Sequence, residues 1–170
     1  MPTGDPELLA RLYQETRDRI VTMLTGPEDP AWQAVVAAWA DATAGLVDLA
    51  HTAGLNAPLG DIISHEHDIR GAIGRPGARD STAVHRSSDQ LLANLDTPVP
   101  LLVAVEDAEY RSGSTDRAEL RLRTTRFEAL RWRTGRRSRD QLATMDWSAD
   151  PTPVLEHLYL FGPAEADLVE

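Results

Sequence analysis

The 170-residue chain contains no cysteine, and all 17 of its basic residues are arginine. Without cysteine it can form neither disulfides nor thiolate metal ligands, so any metal ion must be held by histidine, aspartate or glutamate. The absence of lysine excludes a mechanism that needs a Schiff base on lysine. Chemistry that needs a thiol would therefore depend on a small-molecule thiol supplied from outside the chain.

Long apolar runs are missing too, because no stretch approaches the ~20 residues of a membrane span. The start of the chain lacks the basic-then-apolar pattern of a signal peptide, so we expect a cytoplasmic protein. The net charge is −10, and an acidic surface repels nucleic acid and anionic lipid. We expect neither as a partner. Basic residues nonetheless crowd between Arg117 and Arg139, which leaves room for a local anion site.

Hydrophobic periodicity divides the chain into two parts. Residues 1–96 contain four helical patterns with short connections, which is typical of a four-helix bundle. In residues 97–170, the run Val99–Val105 predicts a buried strand, Tyr110–Asp116 a turn and Ala118–Thr124 a half-buried strand. Short helices are predicted over Phe127–Arg133, Ser138–Met145 and Pro153–Phe161. We expect an α+β protein, mainly α, in which a helical bundle precedes a small α/β appendage.

The segment GDIISHEHDIRGAIG (Gly60–Gly74) concentrates the candidate chemistry of the first part. It lies in a helix predicted over residues 58–74, and the helical period places Asp61, His65 and Asp68 on one face. An aspartate and a histidine one turn apart can offer an oxygen and an imidazole nitrogen to one divalent ion. The alternative is a solvated pair without metal. A second stripe, expected to face the core, consists of Ile62, Ile69 and Ile73.

Other candidates are more ambiguous. His51 ends the second helical pattern, where the helix dipole favours a cation, and a structural role is the simpler interpretation. Arg121 and Arg123 share one face of a predicted strand and could bind a carboxylate or phosphate of a ligand. The alternative is a solvated face with Glu119 and Glu128 close by. The chain has neither a nucleophile elbow nor a glycine-rich phosphate loop, so serine hydrolysis and nucleotide binding lack sequence support.

Two separated motifs resemble one protein family. The string HEHDIRGAIGRPG (His65–Gly77) resembles the His-Glu-x-Asp-Ile-Arg signature of mycothiol-dependent maleylpyruvate isomerase-like proteins. The stretch LRWRTGRRSRDQLATMDWSADPTPVLEHLYLFGP (Leu130–Pro163) resembles their C-terminal end. The resemblance implies an actinobacterial protein with a DinB-like four-helix bundle followed by a small α/β part.

The resemblance also implies a divalent metal ion, usually zinc, held by two histidines and a carboxylate, with the thiol mycothiol bound near it. The family's Glu-x-x-x-His ligand pair falls on Asp61 and His65, and the nearest candidate for the remaining histidine is His51. Metal-assisted addition of the thiol to a small unsaturated acid, its carboxylate anchored by Arg121 or Arg123, would make the chain an isomerase or a thiol transferase.

One element of the family pattern is not found in this chain. The family carries its remaining histidine in a Trp-Thr-Val-x-Asp-x-x-x-His element on an earlier helix, and that element is absent from the sequence. A second copy of the chain in a homodimer could supply the missing ligand. The alternative is a shortened, non-catalytic member of the family that acts as a ligand-binding or interaction protein.

Overall fold

The computed structural model describes residues 5–24, 30–53, 57–114 and 118–169, without the side chains of 30–32, 46–53 and 57–58. Across these residues the chain is α+β, with six α-helices and a four-stranded sheet, which confirms the predicted class. None of the described helices combines enough length and apolar character to cross a bilayer. The chain divides into two compact units, Met1–Gly77 and Ala78–Glu170.

The first unit contains three helices, α1 (Pro6–Leu24), α2 (Pro30–Ala53) and α3 (Ala57–Ala72). Proline begins both α1 and α2, where its missing N–H costs nothing because the first amides of a helix have no partner within it. Asp5 caps α1 by accepting a hydrogen bond from the amide of Glu7 at 3.1 Å. Since α1 packs against both α2 and α3, it is the common core element of this unit.

Among the side chains that the structure describes, the apolar core residues of the first unit come from one face of α1 and one face of α3. Each large aliphatic side chain buried there stabilises the fold by about 1.5–3 kcal/mol relative to leaving it in water. The buried apolar residues of α1 include Leu9, Leu12, Tyr13 and Ile20, and those of α3 include Leu59, Ile62 and Ile63.

The core stripe predicted for α3 was wrong for two of its three residues. Ile62 is buried as expected, but Ile69 is only half-buried and Ile73 is 40% exposed. The inner face instead includes Glu66, which is fully buried. Hydrophobic periodicity assigns only apolar residues to the core face. It therefore left out the buried carboxylate of Glu66 and included Ile69 and Ile73 at the C-terminal end of the helix.

The second unit combines a mixed sheet with short helices. Its elements are α4 (Thr82–Ala93), β1 (Leu101–Ala104), β2 (Glu109–Ser112), β3 (Leu120–Arg123), α5 (Arg126–Arg133), α6 (Arg139–Ala143), β4 (Asp146–Trp147) and a 3₁₀ turn (Leu155–His157). The sheet has the order β2-β1-β3-β4, in which β1 pairs parallel with β3, and the pairs β1–β2 and β3–β4 are antiparallel. Ser81, Thr125 and Ser138 cap the three helices, each accepting an amide hydrogen bond in the first turn.

Helix α4 packs against α5 and β2. One continuous apolar core unites them with the sheet, and it includes Leu92, Leu101, Val103, Leu122, Trp132 and Leu158. By its packing α4 belongs with the sheet, whereas the sequence had grouped it with the first three helices in residues 1–96. The described residues thus do not confirm a four-helix bundle in residues 1–96, and the DinB-like bundle stays a prediction.

Two local predictions in the second part were wrong. The turn predicted over Tyr110–Asp116 begins too early, because Tyr110 to Ser112 belong to strand β2; residues 115 and 116 lie outside the described residues. The helix predicted over Pro153–Phe161 is reduced to the 3₁₀ turn Leu155–His157. The chain does turn at Gly113, which has a φ of +79°, and a Cβ there would lie 2.3 Å from the carbonyl oxygen of Val99. Only glycine fits that position.

Candidate metal-binding face of helix α3

The inner face of α3 carries a buried carboxylate, that of Glu66, which accepts hydrogen bonds from two arginines. Arg19 of α1 donates from Nε and Nη2 to the two oxygens of Glu66, at 2.8 and 2.6 Å. Arg70 donates from Nε and Nη2 to Glu66 Oε1, at 3.1 and 2.9 Å. Arg19 Nη2 also donates to Thr16 Oγ1 at 3.0 Å. These bonds fix the rotation of α3 about its axis relative to α1.

The same contacts set the charge state of Glu66. Burial alone would raise the pKa of this carboxyl group, because desolvation disfavours its charged form. The hydrogen bonds and charges of Arg19 and Arg70 outweigh burial and lower the pKa below its ordinary value of 4.5. Glu66 is therefore ionised at neutral pH and has a structural role. Its ion pair with Arg70 gives the Glu-x-x-x-Arg part of the HEHDIR motif the same structural role.

The outer face of α3 brings together the three residues that the helical period had placed on one side. His65 Nε2 lies 3.6 Å from Asp61 Oδ1, and His65 Nδ1 lies 3.5 Å from Asp68 Oδ2. The side chains of His65 and Asp61 are 57% and 76% exposed, and that of Asp68 is 35% exposed. The imidazole ring thus has one carboxylate on each side, in reach of solvent.

The distance between the Asp61 and His65 donor atoms is that of an i,i+4 ion pair, and it is also close to the spacing of two ligands of one metal ion. Ligand atoms about 2.1 Å from a tetrahedral zinc ion lie about 3.4 Å apart, close to the observed 3.6 Å between His65 Nε2 and Asp61 Oδ1. Asp68 approaches the other ring nitrogen, where a carboxylate commonly holds the proton of a metal-binding histidine. The sequence had placed Asp68 on this face without giving it that role.

The remaining ligand predicted from the sequence cannot be placed. His51 belongs to helix α2, and its side chain lies outside the described residues. Within the part of the chain that the structure describes, no three histidine, aspartate or glutamate residues form a group able to hold a metal ion. Asp61 and His65 therefore stand as a pair.

Arg121 and Arg123 lie together on the exposed side of β3, in the second unit. They alternate with the buried residues Leu120 and Leu122, as the sequence predicted. Arg121 Nη2 lies 3.6 Å from Glu119 Oε2, which is a loose, solvent-exposed pair. Arg123 makes no ion pair with any residue between 5 and 169 that the structure describes. The face can accept an anion, and it is also open to solvent.

A second charged cluster, around Arg126 at the start of α5, was not singled out from the sequence. The Arg126 side chain is only 6% exposed and contacts three carboxylates, with Nε 2.6 Å from Asp89 Oδ1 and Nη1 in reach of Glu106 and Asp107. Tyr110 donates its hydroxyl to Asp89 at 2.6 Å. Arg126 therefore joins α4, α5 and the turn between β1 and β2. No local pattern signals this role, because its partners come from two other segments, 19 to 37 residues earlier in the chain.

Comparison with known proteins adds no relative to this picture. No family model, no curated protein and no solved structure matches the chain.

Proposed function

We propose that the chain is a mycothiol-dependent maleylpyruvate isomerase-like protein with a DinB-like bundle, in which α3 carries part of a divalent metal site. Asp61 and His65 would hold the ion, zinc being the ion usual in the family, and His51 is proposed as the third ligand. Its reaction would be the metal-assisted addition of a thiol to a small unsaturated acid, or a related thiol transfer.

The observation that carries the proposal is the placement of the His65 ring between two carboxylates. Its Nε2 faces Asp61 and its Nδ1 faces Asp68, at 3.6 and 3.5 Å. A proton on Nδ1 next to Asp68 leaves the Nε2 lone pair for a metal ion that Asp61 can also reach. The buried anchor at Glu66 keeps this face of α3 turned outwards.

The chain's own residues would bind the metal ion and the substrate carboxylate and would hold them in position. A bound metal ion would supply a lowered thiol pKa, and mycothiol the thiolate that adds reversibly to the double bond of the acid. Asp61 and His65 would hold the ion, and Asp68 would keep the His65 ring in the tautomer that leaves Nε2 free to bind. Arg121 and Arg123 are the proposed anchors for a substrate carboxylate, because a guanidinium pairs with a carboxylate through two parallel hydrogen bonds.

The alternative is a non-catalytic member of the same family that binds a ligand or another protein. The exposure of Asp61 and His65 favours it, because two solvent-exposed ligands hold a metal ion weakly, and the described side chains supply no third one nearby. A protein of this kind would fold without metal, and its stability would not respond to a chelator.

Zinc binding to purified protein, measured by calorimetry after treatment with a chelator, separates the two functions. We expect one zinc ion per chain and a loss of affinity of about tenfold or more in His65→Ala and Asp61→Ala, because each removes a direct ligand. His157→Ala is the matched control, since His157 is an exposed histidine of the second unit. If His65→Ala binds zinc as the parent does, the metal site is wrong and the non-catalytic alternative stands.

Activity is a separate readout. Mycothiol-dependent isomerisation of maleylpyruvate that requires both zinc and His65 would support the enzyme, and the same loss in Arg121→Ala or Arg123→Ala would support their anchoring role. Zinc binding without turnover would leave the metal site in place and reject catalysis.

A further inference from the structure

Strand β2 (Glu109–Ser112) is an edge of the sheet, so one side of its backbone pairs with β1 and the other side has no strand beside it in the part of the chain that the structure describes. A free edge presents unpaired N–H and C=O groups that can pair with another strand. Which residues of β2 present them follows from the hydrogen-bond pattern of the neighbouring strands.

Strand β1 divides its hydrogen bonds between two neighbours. The carbonyl groups of Pro100 and Ala104 accept the amides of Leu120 and Thr124, each at 2.9 Å, so the even-numbered residues here face β3. The amide of Val105 donates to the carbonyl oxygen of Ala108 at 3.0 Å, so the odd-numbered residues face β2.

The register carries this alternation onto β2. Val103 lies opposite Tyr110, and Leu101 lies opposite Ser112. In an antiparallel pair, hydrogen-bonded and non-hydrogen-bonded positions alternate. Tyr110 and Ser112 therefore turn their backbone groups towards β1, whereas Glu109 and Arg111 turn theirs outwards.

The two outward residues carry opposite charges on exposed side chains. Glu109 and Arg111 are 53% and 60% exposed, and within one chain Arg111 Nη2 lies 3.1 Å from Glu109 Oε2. Because they are two residues apart on a strand, their side chains share one face of the sheet. A strand that pairs with this edge therefore meets the outward N–H and C=O groups of Glu109 and Arg111, with an acidic side chain at the first residue and a basic side chain at the second.

We propose that the free edge of β2 binds the same edge of a second copy of this chain, in an antiparallel pair with its two-fold axis at Tyr110. Glu109 then lies opposite Arg111 of the second copy, and Arg111 opposite its Glu109. The outward N–H and C=O groups of both residues meet their counterparts in four backbone hydrogen bonds. The two sheets join into one continuous sheet of eight strands.

Charge selects this register over its neighbours. Two other antiparallel registers also align the outward backbone groups, but one places Glu109 opposite itself and the other places Arg111 opposite itself. Like charges directly opposite each other on paired strands are destabilising, whereas opposite charges are stabilising. The edge is thus complementary to its own copy, as an isologous two-fold interface requires. Because β2 is only four residues long, the association is weak and depends on concentration.

The test combines mass and site-resolved hydrogen exchange on the full chain, at concentrations from about 10 µM to about 1 mM, where interfaces of this size associate. Sedimentation equilibrium should show a monomer that becomes a dimer. The amides of Glu109 and Arg111 should gain about tenfold protection with the dimer, while those of Tyr110 and Ser112 are protected throughout. A monomer at every concentration, or a dimer without protection at Glu109 and Arg111, overturns the proposal.

Charge reversal provides the decisive variants. Glu109→Arg and Arg111→Glu should each remain monomeric alone, because each places like charges opposite each other, and an equimolar mixture of the two should form a heterodimer.

Arg121→Glu is the matched control: Arg121 shares the partner Glu119 with Arg111 but lies on an inner strand, so its variant should dimerise as the parent does. Arg111→Pro removes an outward amide without touching the β1 ladder, and should also be monomeric. A mixture that stays monomeric, or a dimer in either single charge variant, contradicts the pairing.

Discussion

Arg19 and Glu66 lie 47 residues apart in the chain and join α1 to α3 by two hydrogen bonds of 2.8 and 2.6 Å. Glu66 also accepts hydrogen bonds from Arg70, so one buried carboxylate serves two cations. The consequence for the candidate site is indirect. With Glu66 held on the inner face, Asp61 and His65 are turned to the outer one.

Replacing Glu66 by glutamine should destabilise the first unit strongly. Glu66→Gln keeps the size of the side chain but leaves two guanidinium groups without their anion, and breaking a buried pair in this way costs about 3–5 kcal/mol. Urea unfolding followed by circular dichroism measures the change. Glu15→Gln is the control, because Glu15 is 53% exposed, forms a 3.8 Å pair with Arg11 and acts on Arg19 through charge without a hydrogen bond; it should change the free energy of unfolding by less than about 0.5 kcal/mol. Equal effects of the two variants would contradict the anchor.

The stability of the first unit should fall in acid. The pKa of Glu66 is lower in the folded chain than its ordinary value of 4.5, so the unfolded state binds a proton more readily. The stabilisation is therefore fully present above about pH 4.5 and is lost as the pH falls through the folded pKa. Urea unfolding at a series of pH values should show this decline in the parent chain and a flatter profile in Glu66→Gln. An unchanged slope in the variant would assign the acid sensitivity to other carboxylates.

Removing the guanidinium of Arg126 should loosen the second unit. Arg126→Met keeps much of the buried stem but removes the guanidinium from Asp89, which keeps only the hydrogen bond from Tyr110 among the contacts named above, and hydrogen bonds to charged groups contribute about 1.5–3 kcal/mol each. We expect a total loss in that range, since Glu106 and Asp107 are solvent-exposed and can be hydrated instead. Chemical denaturation gives the value. Arg139→Met is the comparison, because Arg139 is 52% exposed and its variant should be nearly neutral.

Asp68 should matter for metal affinity although it is not proposed as a ligand. Asp68→Asn removes the negative charge next to His65 Nδ1, and loss of such an outer partner typically lowers metal affinity about 10- to 100-fold. Calorimetric titration with zinc should show this loss with the stoichiometry unchanged. Asp80→Asn, at an exposed aspartate of the second unit, should leave affinity unaltered. An unaffected Asp68→Asn variant would remove Asp68 from the site.

Local sequence was sufficient where the cause of a structure is local. The prolines at the starts of α1 and α2 and the serines before α4 and α6 marked helix starts, because a cap or a proline acts within one turn. The helical period also placed Asp61, His65 and Asp68 together correctly. It requires only that the segment be a helix.

Sequence was insufficient where a partner lies far along the chain. Periodicity assigned the core face of α3 to Ile69 and Ile73, because nothing near Glu66 shows that Arg19 will meet it across the core. Strand β2 was missed for a related reason. An edge strand of charged residues has no apolar alternation, and its pairing with β1 is a property of the sheet.

The most direct test of the metal site is a zinc titration followed by the ring nitrogens of the five histidines in nitrogen-15 NMR spectra. We expect zinc to shift the signal of His65 Nε2 into the metal-bound range, while Nδ1 of the same ring keeps its proton beside Asp68. A His65 ring that zinc leaves unchanged, or that binds zinc through Nδ1, would show that the proposed site is wrong.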